Sequence, residues 1–362
     1  MNKRFVMILS VLLAIVLLAA CGTTAAAPAG TVEEPEETPV SATAETSPEE
    51  SAEAELPEEA AETAEPVTIR LGGLKGPTSI GLVKLLEDAK NGETANEYEF
   101  TMAAAADELT PKLLKGELDI LAVPANLASI LYNRSEGGVK MIAVNTLGVI
   151  YIVEKGGESI SSLEDLRGRT IYATGKGTTP EYALTYLLSQ SGLDIEKDVT
   201  MEWKSEPTEV VATISTMDKA VAMLPQPFVT VAGTKVDGLR TALDLTQEWE
   251  DLDNGSTFIT AGLVVRSDFA EENPEALRIF LEEYKASTDF VNANTAEAAV
   301  LVEQYDIVNA KIAEKAIPYC NIVCIPGEEM QTILSGYLQV LYEQNPASVG
   351  GALPQEDFYW PG

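Results

Sequence analysis

Leu71-Gly-Gly-Leu-Lys-Gly-Pro-Thr-Ser-Ile-Gly-Leu-Val-Lys-Leu-Leu-Glu-Asp-Ala89 is the stretch from which the rest of the chain is read. Val67 to Leu71 predicts a strand that runs into glycines, then Pro77, then an amphipathic run. Glycine lets the backbone turn tightly and approach a ligand closely. Proline suits the first helical turn, because the N–H it lacks would have no partner there. Ile80, Leu82, Val83, Leu85 and Leu86 supply one helix face, which predicts a helix over 79–89. The free N–H groups of its first turn, with the hydroxyls of Thr78 and Ser79, make a polar cup. Helix starts of this kind attract anions and polar groups. The cup is expected to be half of a small-molecule site.

Outward from this stretch, strand and helix alternate. Strands are expected at 98–103, 118–123 and 139–144, and helices at 108–115 and 127–133. Such alternation predicts a mainly parallel sheet with helices on both faces. The design then repeats. A strand at 170–173 meets Thr174-Gly-Lys-Gly-Thr-Thr-Pro180, where Thr179 suits an N-cap with Pro180 at the first helical position, and a helix follows over 181–189. Strands at 199–203 and 219–224 and helices at 208–215 and 228–232 complete the second set. Lys75-Gly76-Pro77 matches Lys176-Gly177, and Pro124-Ala-Asn126 matches Pro225-Gln-Pro227. In open parallel sheets, ligands bind beyond the carboxyl ends of the strands. Two such sheets face to face would put four loops around one cleft. Neither Gly-rich loop carries a nucleotide-phosphate fingerprint. Asn145-Thr-Leu-Gly-Val-Ile-Tyr-Ile-Val153 and Phe258-Ile-Thr-Ala-Gly-Leu-Val-Val-Arg266 read as two crossings between the halves, entering the second near 148 and returning near 261. A glycine in each suits a segment that absorbs a hinge motion.

The chain has 362 residues, a net charge of −33 and no histidine. The charge disfavours nucleic acid, which needs a basic face. The missing histidine excludes a Ser-His-Asp triad, an imidazole acid–base and a His-ligated zinc site; no metal or cofactor is expected. Lys3 and Arg4 precede the apolar run Phe5 to Ala20, a targeting segment over 1–20. The run ends Leu18-Ala19-Ala20-Cys21-Gly22, which resembles a bacterial lipoprotein signal and implies lipidation of Cys21 on the outer side of the cell membrane. An ordinary secretory signal or an uncleaved anchor is the alternative. Residues 22–65 hold thirteen Glu and no Asp, Lys or Arg, among Ala, Thr, Ser and Pro. Such a composition predicts disorder. With Cys21 it reads as a tether of roughly 35–40 Å r.m.s. or simply as a solubilising tail. Lys3 and Arg4 take two of the 24 bases and this segment thirteen of the 57 acids, so 44 acids and 22 bases remain in the body. Cys320 and Cys324 would lie about 13 Å apart in an extended strand, too far to bridge. A turn there would allow a disulfide; otherwise they are two thiols.

The opening strand and loop at 71–79, Leu118-Asp-Ile-Leu-Ala-Val-Pro-Ala-Asn126, Leu163-Glu-Asp-Leu-Arg-Gly-Arg-Thr-Ile171 with Gly175-Lys-Gly-Thr178, and Phe269-Ala-Glu-Glu-Asn-Pro274 together resemble solute-binding proteins of ABC importers. The branch is similar to the nitrate/sulfonate/taurine group, which also contains binders of thiamine-precursor pyrimidines. The resemblance covers about 66–345. It implies an α/β, two-lobed, type II periplasmic-binding-protein-like fold, with lobe 1 at 66–147 plus 262–362 and lobe 2 at 148–261. It also implies a monomer that closes on one small polar or planar solute and delivers it to a membrane permease.

Carried onto this chain, the family's ligand loops fall at Lys75–Ser79, Pro124–Asn126, Thr146–Gly148, Gly177–Thr179 and Pro225–Pro227. Lys75, Gly76, Thr78, Ser79, Asn126, Thr146, Gly148, Gly177, Thr178, Thr179 and Gln226 are the candidate contacts. Their groups also suit helix caps and turns, and sequence does not separate the two roles. Lys75 and Lys176 are either counter-charges to an anion or solvated. No Arg lies in these loops, which weakens an anionic reading, and no Asp or Glu, which disfavours a cationic amine. Tyr132, Tyr151, Trp203 and Trp249 are either core or stacking platforms. The pyrimidine-forming enzymes of the superfamily use histidine and a cysteine cluster, both missing here, so an enzyme is not expected. A ligand-sensing or adhesive surface lipoprotein is the alternative to a transport receptor.

Overall fold

A computed structural model describes residues 66–362. The targeting segment, Cys21 and the acidic stretch to residue 65 lie outside the described residues. Eleven strands are described: β1 Thr68–Leu74, β2 Glu97–Ala103, β3 Ile120–Pro124, β4 Val139–Leu147, β5 Ile150–Lys155, β6 Thr170–Ala173, β7 Thr200–Trp203, β8 Ala220–Pro225, β9 Leu239–Asp244, β10 Ile259–Arg266 and β11 Ile322–Pro326. The helices of the first half are α1 Pro77–Ile80, α2 Val83–Asn91, α3 Ala106–Leu114 and α4 Ala125–Arg134, and those of the second are α5 Thr179–Gln190, α6 Pro207–Ser215 and α7 Phe228–Lys235. Further on come α8 Leu245–Glu250, α9 Ser267–Glu272, α10 Pro274–Ala293, α11 Thr295–Gln304, α12 Ala310–Ala316 and α13 Gly327–Gln344.

The strands form two sheets, ordered β2-β1-β3-β10-β4-β11 and β7-β6-β8-β5-β9. In the first, β1 to β4 share a direction and β10 and β11 oppose them. In the second, β6 to β9 share a direction and β5 opposes them. Each sheet therefore reads second strand, first, third, one opposed strand, fourth. The repeat expected from the loops is a repeat of topology, and the fold is the α/β arrangement of two mainly parallel sheets flanked by helices.

Ile69 and Leu71 of β1 share a core with Leu82 and Leu85 beside β1 and with Phe280 and Tyr284 of α10. In the second sheet Val153, Ala222 and Leu224 share one with Val210 and Ile214 of α6 and Phe228 of α7. Ile312 of α12 belongs to that second cluster, so the segment after β10 reaches back onto the second sheet. The chain leaves the first sheet at Leu147, enters the second at Ile150 and rejoins the first at Ile259. Gly148 occupies the outward crossing because the chain is pinched there. A Cβ would lie 2.2 Å from Thr246 Oγ1 and 2.8 Å from Phe258 Cδ1.

Several local expectations are corrected. The helix expected over 79–89 is broken into α1 and α2, because Ser287 of α10 enters its hydrogen-bond ladder. Ser287 Oγ donates to Gly81 O at 2.6 Å and accepts from Leu85 N at 3.0 Å, separating two groups that would bond in a continuous helix. In α5 the cap position belongs to Thr178, and Thr179 and Pro180 are the first two helical residues. The Thr178 hydroxyl turns back to donate to Gly175 O at 2.7 Å, leaving the helix start without a side-chain cap. Strands β9 and β11 had no expectation. Cys320 and Cys324 are both thiols. Cys320 is buried, and its Sγ donates to Ala316 O at 3.2 Å.

Candidate functional site

At the end of β1 the backbone must turn at once from strand to helix. Gly76 makes the turn with φ +156° and ψ −154°, a region open essentially to glycine. The hydroxyls of Ser79 and Thr78 both donate to Leu74 O, at 2.7 and 3.3 Å, and tie the first helical turn to the strand end. Both side chains therefore brace the loop, and of the two only Thr78 also lines the cavity described below. Lys75 N donates to Ala103 O at 2.8 Å, which joins the end of β1 to the end of β2. The second sheet makes the same join with donor and acceptor strands exchanged, Lys204 N after β7 donating to Ala173 O at the end of β6 at 2.8 Å.

These loops surround a cavity of about 600 Å³ between the two sheets, a volume suited to a small organic solute. The first sheet contributes Leu74 to Thr78 after β1, Ala104 to Asp107 after β2, and Pro124 at the end of β3. The second contributes Thr174, Gly175, Lys176 and Thr178 after β6, Lys204 and Ser205 after β7, and Pro225 at the end of β8. All six are carboxyl ends of strands, where parallel sheets place ligands. Ile150 of β5 with Thr260 and Ala261 of β10 closes the cavity from the crossing strands, and Leu127 and Arg134 face it from α4.

Of the candidate contacts, Lys75, Gly76, Thr78 and Thr178 line this cavity. Ser79, Asn126, Thr146, Gly148, Gly177, Thr179 and Gln226 do not. Asn126 and Thr179 are fully buried and meet across the two halves, with Thr179 Oγ1 donating to Asn126 Oδ1 at 3.3 Å. Asn126 Nδ2 donates to Ser348 O at 2.9 Å, so its amide is committed at both ends. Thr146 Oγ1 donates to Asn145 Oδ1, and Gln226 Oε1 accepts from Thr230 Oγ1 at 2.9 Å. Gly148 O accepts from Asn321 Nδ2. Gly177 N donates to Glu181 Oε2 at 2.5 Å.

Arg134 and Lys204 also line the cavity and had not been singled out from sequence. Lys204 follows the second strand of its half, and the loops after second strands had been passed over although their ends point the same way. Arg134 comes from the last turn of α4, seven residues after Leu127 and on the same face. The walls thus carry four cations, Lys75, Arg134, Lys176 and Lys204, against one carboxylate, Asp107, in a body with twice as many acids as bases. Lys75 Nζ lies 3.4 Å from the exposed Asp306 carboxylate, and Lys204 Nζ lies 5.9 Å above the Tyr172 ring. Among the described residues Arg134 and Lys176 have no ion pair. Among the described residues no aromatic side chain lines the cavity. Trp249 is core, stacked on Phe258 with ring centroids 5.3 Å apart, and Tyr132 donates to Asp357 Oδ1. Tyr151 donates to Tyr319 O at 3.4 Å, and Trp203 packs partly buried against the core.

The family model of the NMT1-like family matches residues 80–304. The chain belongs to the NMT1-like family. A Brucella abortus protein provisionally named a binding protein is 25% identical over 177 residues, 48% of this chain and 52% of the relative, so the match spans about half of that curated protein. Among solved structures, an ABC transporter protein from Parabacteroides distasonis is 24% identical, covers 81% of this chain and 98% of its own, and superposes with a TM-score of 0.67. The periplasmic aliphatic sulphonate binding protein of Escherichia coli is 16% identical, covers 82% of this chain and 92% of its own, and gives 0.65. These likenesses are to the fold, and they agree with the two-lobed fold that the resemblance over 66–345 implies.

Proposed function

We propose that the protein is the extracytoplasmic solute receptor of an ABC importer and that it captures a small organic anion between two lobes without altering it. The observation that carries this reading is the cavity itself: six strand ends converge on it, and four cations line it in an acidic chain. Apolar groups from Leu74, Leu127 and Ile150 would face the body of the solute, and the cations its charge. The absence of aromatic walls favours an aliphatic solute over a stacked pyrimidine. The sulphonate-binding neighbour supports an organic sulfonate as the first class to test.

Within this reading, lobe 1 is 66–147 with 262–362 and lobe 2 is 148–261, a division that sheet membership supports except at 259–261, which lie in the first sheet with the rest of β10. Lys75, Gly76, Thr78 and Thr178 are direct contacts. Asn126 and Thr179 act between the lobes, and Ser79 and Gln226 hold the loops. The receptor works as a monomer, held to the membrane through lipidated Cys21 and delivering to a permease.

The test is a thermal-shift screen of organic sulfonates, carboxylates and inorganic anions. Solute at a hundred times its dissociation constant is expected to add about 2.7 kcal/mol. A panel with no stabilising compound contradicts the receptor reading. For the anchor, Cys21→Ser is expected to move the protein out of the membrane fraction, and unchanged membrane association contradicts lipidation.

A further inference from the structure

The floor of the cavity differs from its walls. Ile150, Thr260 and Ala261 come from the two strands that follow the crossings, and Pro124 and Pro225 lie beside them on the neighbouring strands. The two prolines have no N–H to offer a guest. Thr260 is the one polar side chain in this group of five.

Its placement is irregular. In the ladder between β10 and β4, Ile259 faces Leu147 and Ala261 faces Thr146, so Thr260 is the extra residue of a bulge. Bulges bend a strand and re-aim a side chain, and they are common beside functional sites. Thr260 is 9% exposed, and its hydroxyl oxygen is out of contact with solvent and without a hydrogen-bond partner among the described residues. A hydroxyl buried without a partner is destabilising. The sequence puts valine at 264 and 265 of the same strand, so a threonine here, isosteric with valine, calls for a reason other than packing.

We propose that Thr260, whose hydroxyl is turned away from the open cavity in this structure, rotates about χ1 when the cavity is filled, so that Oγ1 bonds the captured solute as the specificity-determining contact at the closed end. The inference rests on the receptor reading above. It narrows the solute class to an organic anion with a second hydrogen-bonding group. The anionic end faces the solvent-accessible Arg134 and Lys176 at the mouth, an aliphatic body crosses the apolar walls, and a hydroxyl, amine or amide meets Thr260. Thr260 stands two residues beyond Phe258, which packs against the outward crossing at Gly148. Contact with it therefore links occupancy to the segments that join the lobes.

The experiment compares wild type, T260V and T260S in the full chain by calorimetric titration. The probes are ethanesulfonate and butanesulfonate, each against its terminal-hydroxyl counterpart. Wild type is expected to favour the hydroxylated member of at least one pair by tenfold or more, since a site built to bond a hydroxyl rejects the analogue that lacks it. T260V is expected to erase that preference, and T260S to keep it within about threefold. The melting temperature of unliganded T260V is expected to equal or exceed that of wild type, because no internal partner is lost. A preference that survives in T260V overturns the inference and leaves the receptor reading standing. So does a T260S as weak as T260V, or a T260V that melts well below wild type. A wild type that binds none of the four probes overturns the sulfonate class and the inference with it.

Discussion

Asp119 immediately precedes β3 at the end of the first sheet opposite the cavity, and it fastens three strands at once. Arg70 of β1 donates to it from Nε at 2.8 Å, from Nη2 at 2.5 Å and from its backbone N at 2.9 Å, and Arg266 of β10 donates from Nη2 at 3.1 Å. Fixing β1, β3 and β10 at this end sets where Leu74, Pro124 and Thr260 emerge at the other. Burial pushes the Asp119 carboxyl upward, but the bonds from Arg70 and Arg266 outweigh it and hold the group below the usual carboxylate range. Because the folded value is depressed, the stabilisation is complete above about pH 5 and is lost as the pH falls through the folded value. D119N is expected to cost about 3 kcal/mol, the low end for a broken buried pair because both arginines keep some solvent. It is also expected to flatten the acid limb of the stability curve. Urea midpoints at neutral pH and near pH 3 check both. Glu154 plays the same part at the far end of the second sheet, bonded to Arg240 Nη2 at 2.5 Å and to Ser159. Nothing in the sequence marks these two among 57 acids, since their weight comes from partners 49 and 86 residues away. Gly76 was legible, because a Lys-Gly-Pro turn after a strand announces itself. Gly76→Ala is expected to cost about 1–3 kcal/mol through its backbone conformation, with a matching fall in melting temperature.

At the scale of elements, the strand-and-helix alternation could be read because most helix starts carry proline or a small polar residue and the central strands, such as β3 and β8, are apolar runs. What could not be read was set by distant contacts. The split between α1 and α2 is one case. Ile80 to Leu86 has a good helical pattern, and Ser287, more than two hundred residues on, interrupts it. S287A is expected to lose about 1–3 kcal/mol, because Gly81 O and Leu85 N are left buried without partners. An unchanged urea midpoint would mean that the two helices had fused into one. Asn126 and Thr179 are a second case. Both sit where a ligand loop would, yet their side chains meet each other, and which role such a residue takes depends on how far the halves approach. Caps were no easier, since the one expected at Thr179 is at Thr178 and the one at Asn309 was not foreseen: Asn309 accepts from Ile312 N at 3.1 Å and starts α12, which rests on the second sheet. N309A is expected to cost about 1 kcal/mol, read from the same denaturation curves.

For the molecule as a whole, one arrangement made twice accounts for the site. Strand order second, first, third, opposed, fourth puts three carboxyl ends side by side in each sheet, and the pair of sheets turns six such ends onto one cavity. The doubling was visible in the sequence as paired Lys-Gly loops and paired proline breaks. The charge of the cavity was not, because Arg134 arrives from the far end of a helix and Lys204 from a loop without a motif. Under the receptor reading, K176Q combined with K204Q is expected to weaken an anionic solute about tenfold, at up to roughly 1 kcal/mol for each solvent-accessible charge. The exposed control K285Q is expected to change nothing in the same titration. The most direct measurement is a crystal structure of the protein grown with the strongest stabilising anion from the thermal screen. The account predicts density for one molecule per chain, bounded by Lys75, Thr78, Thr178 and Thr260. Density for that compound elsewhere on the surface, with only water between the two sheets, would contradict it.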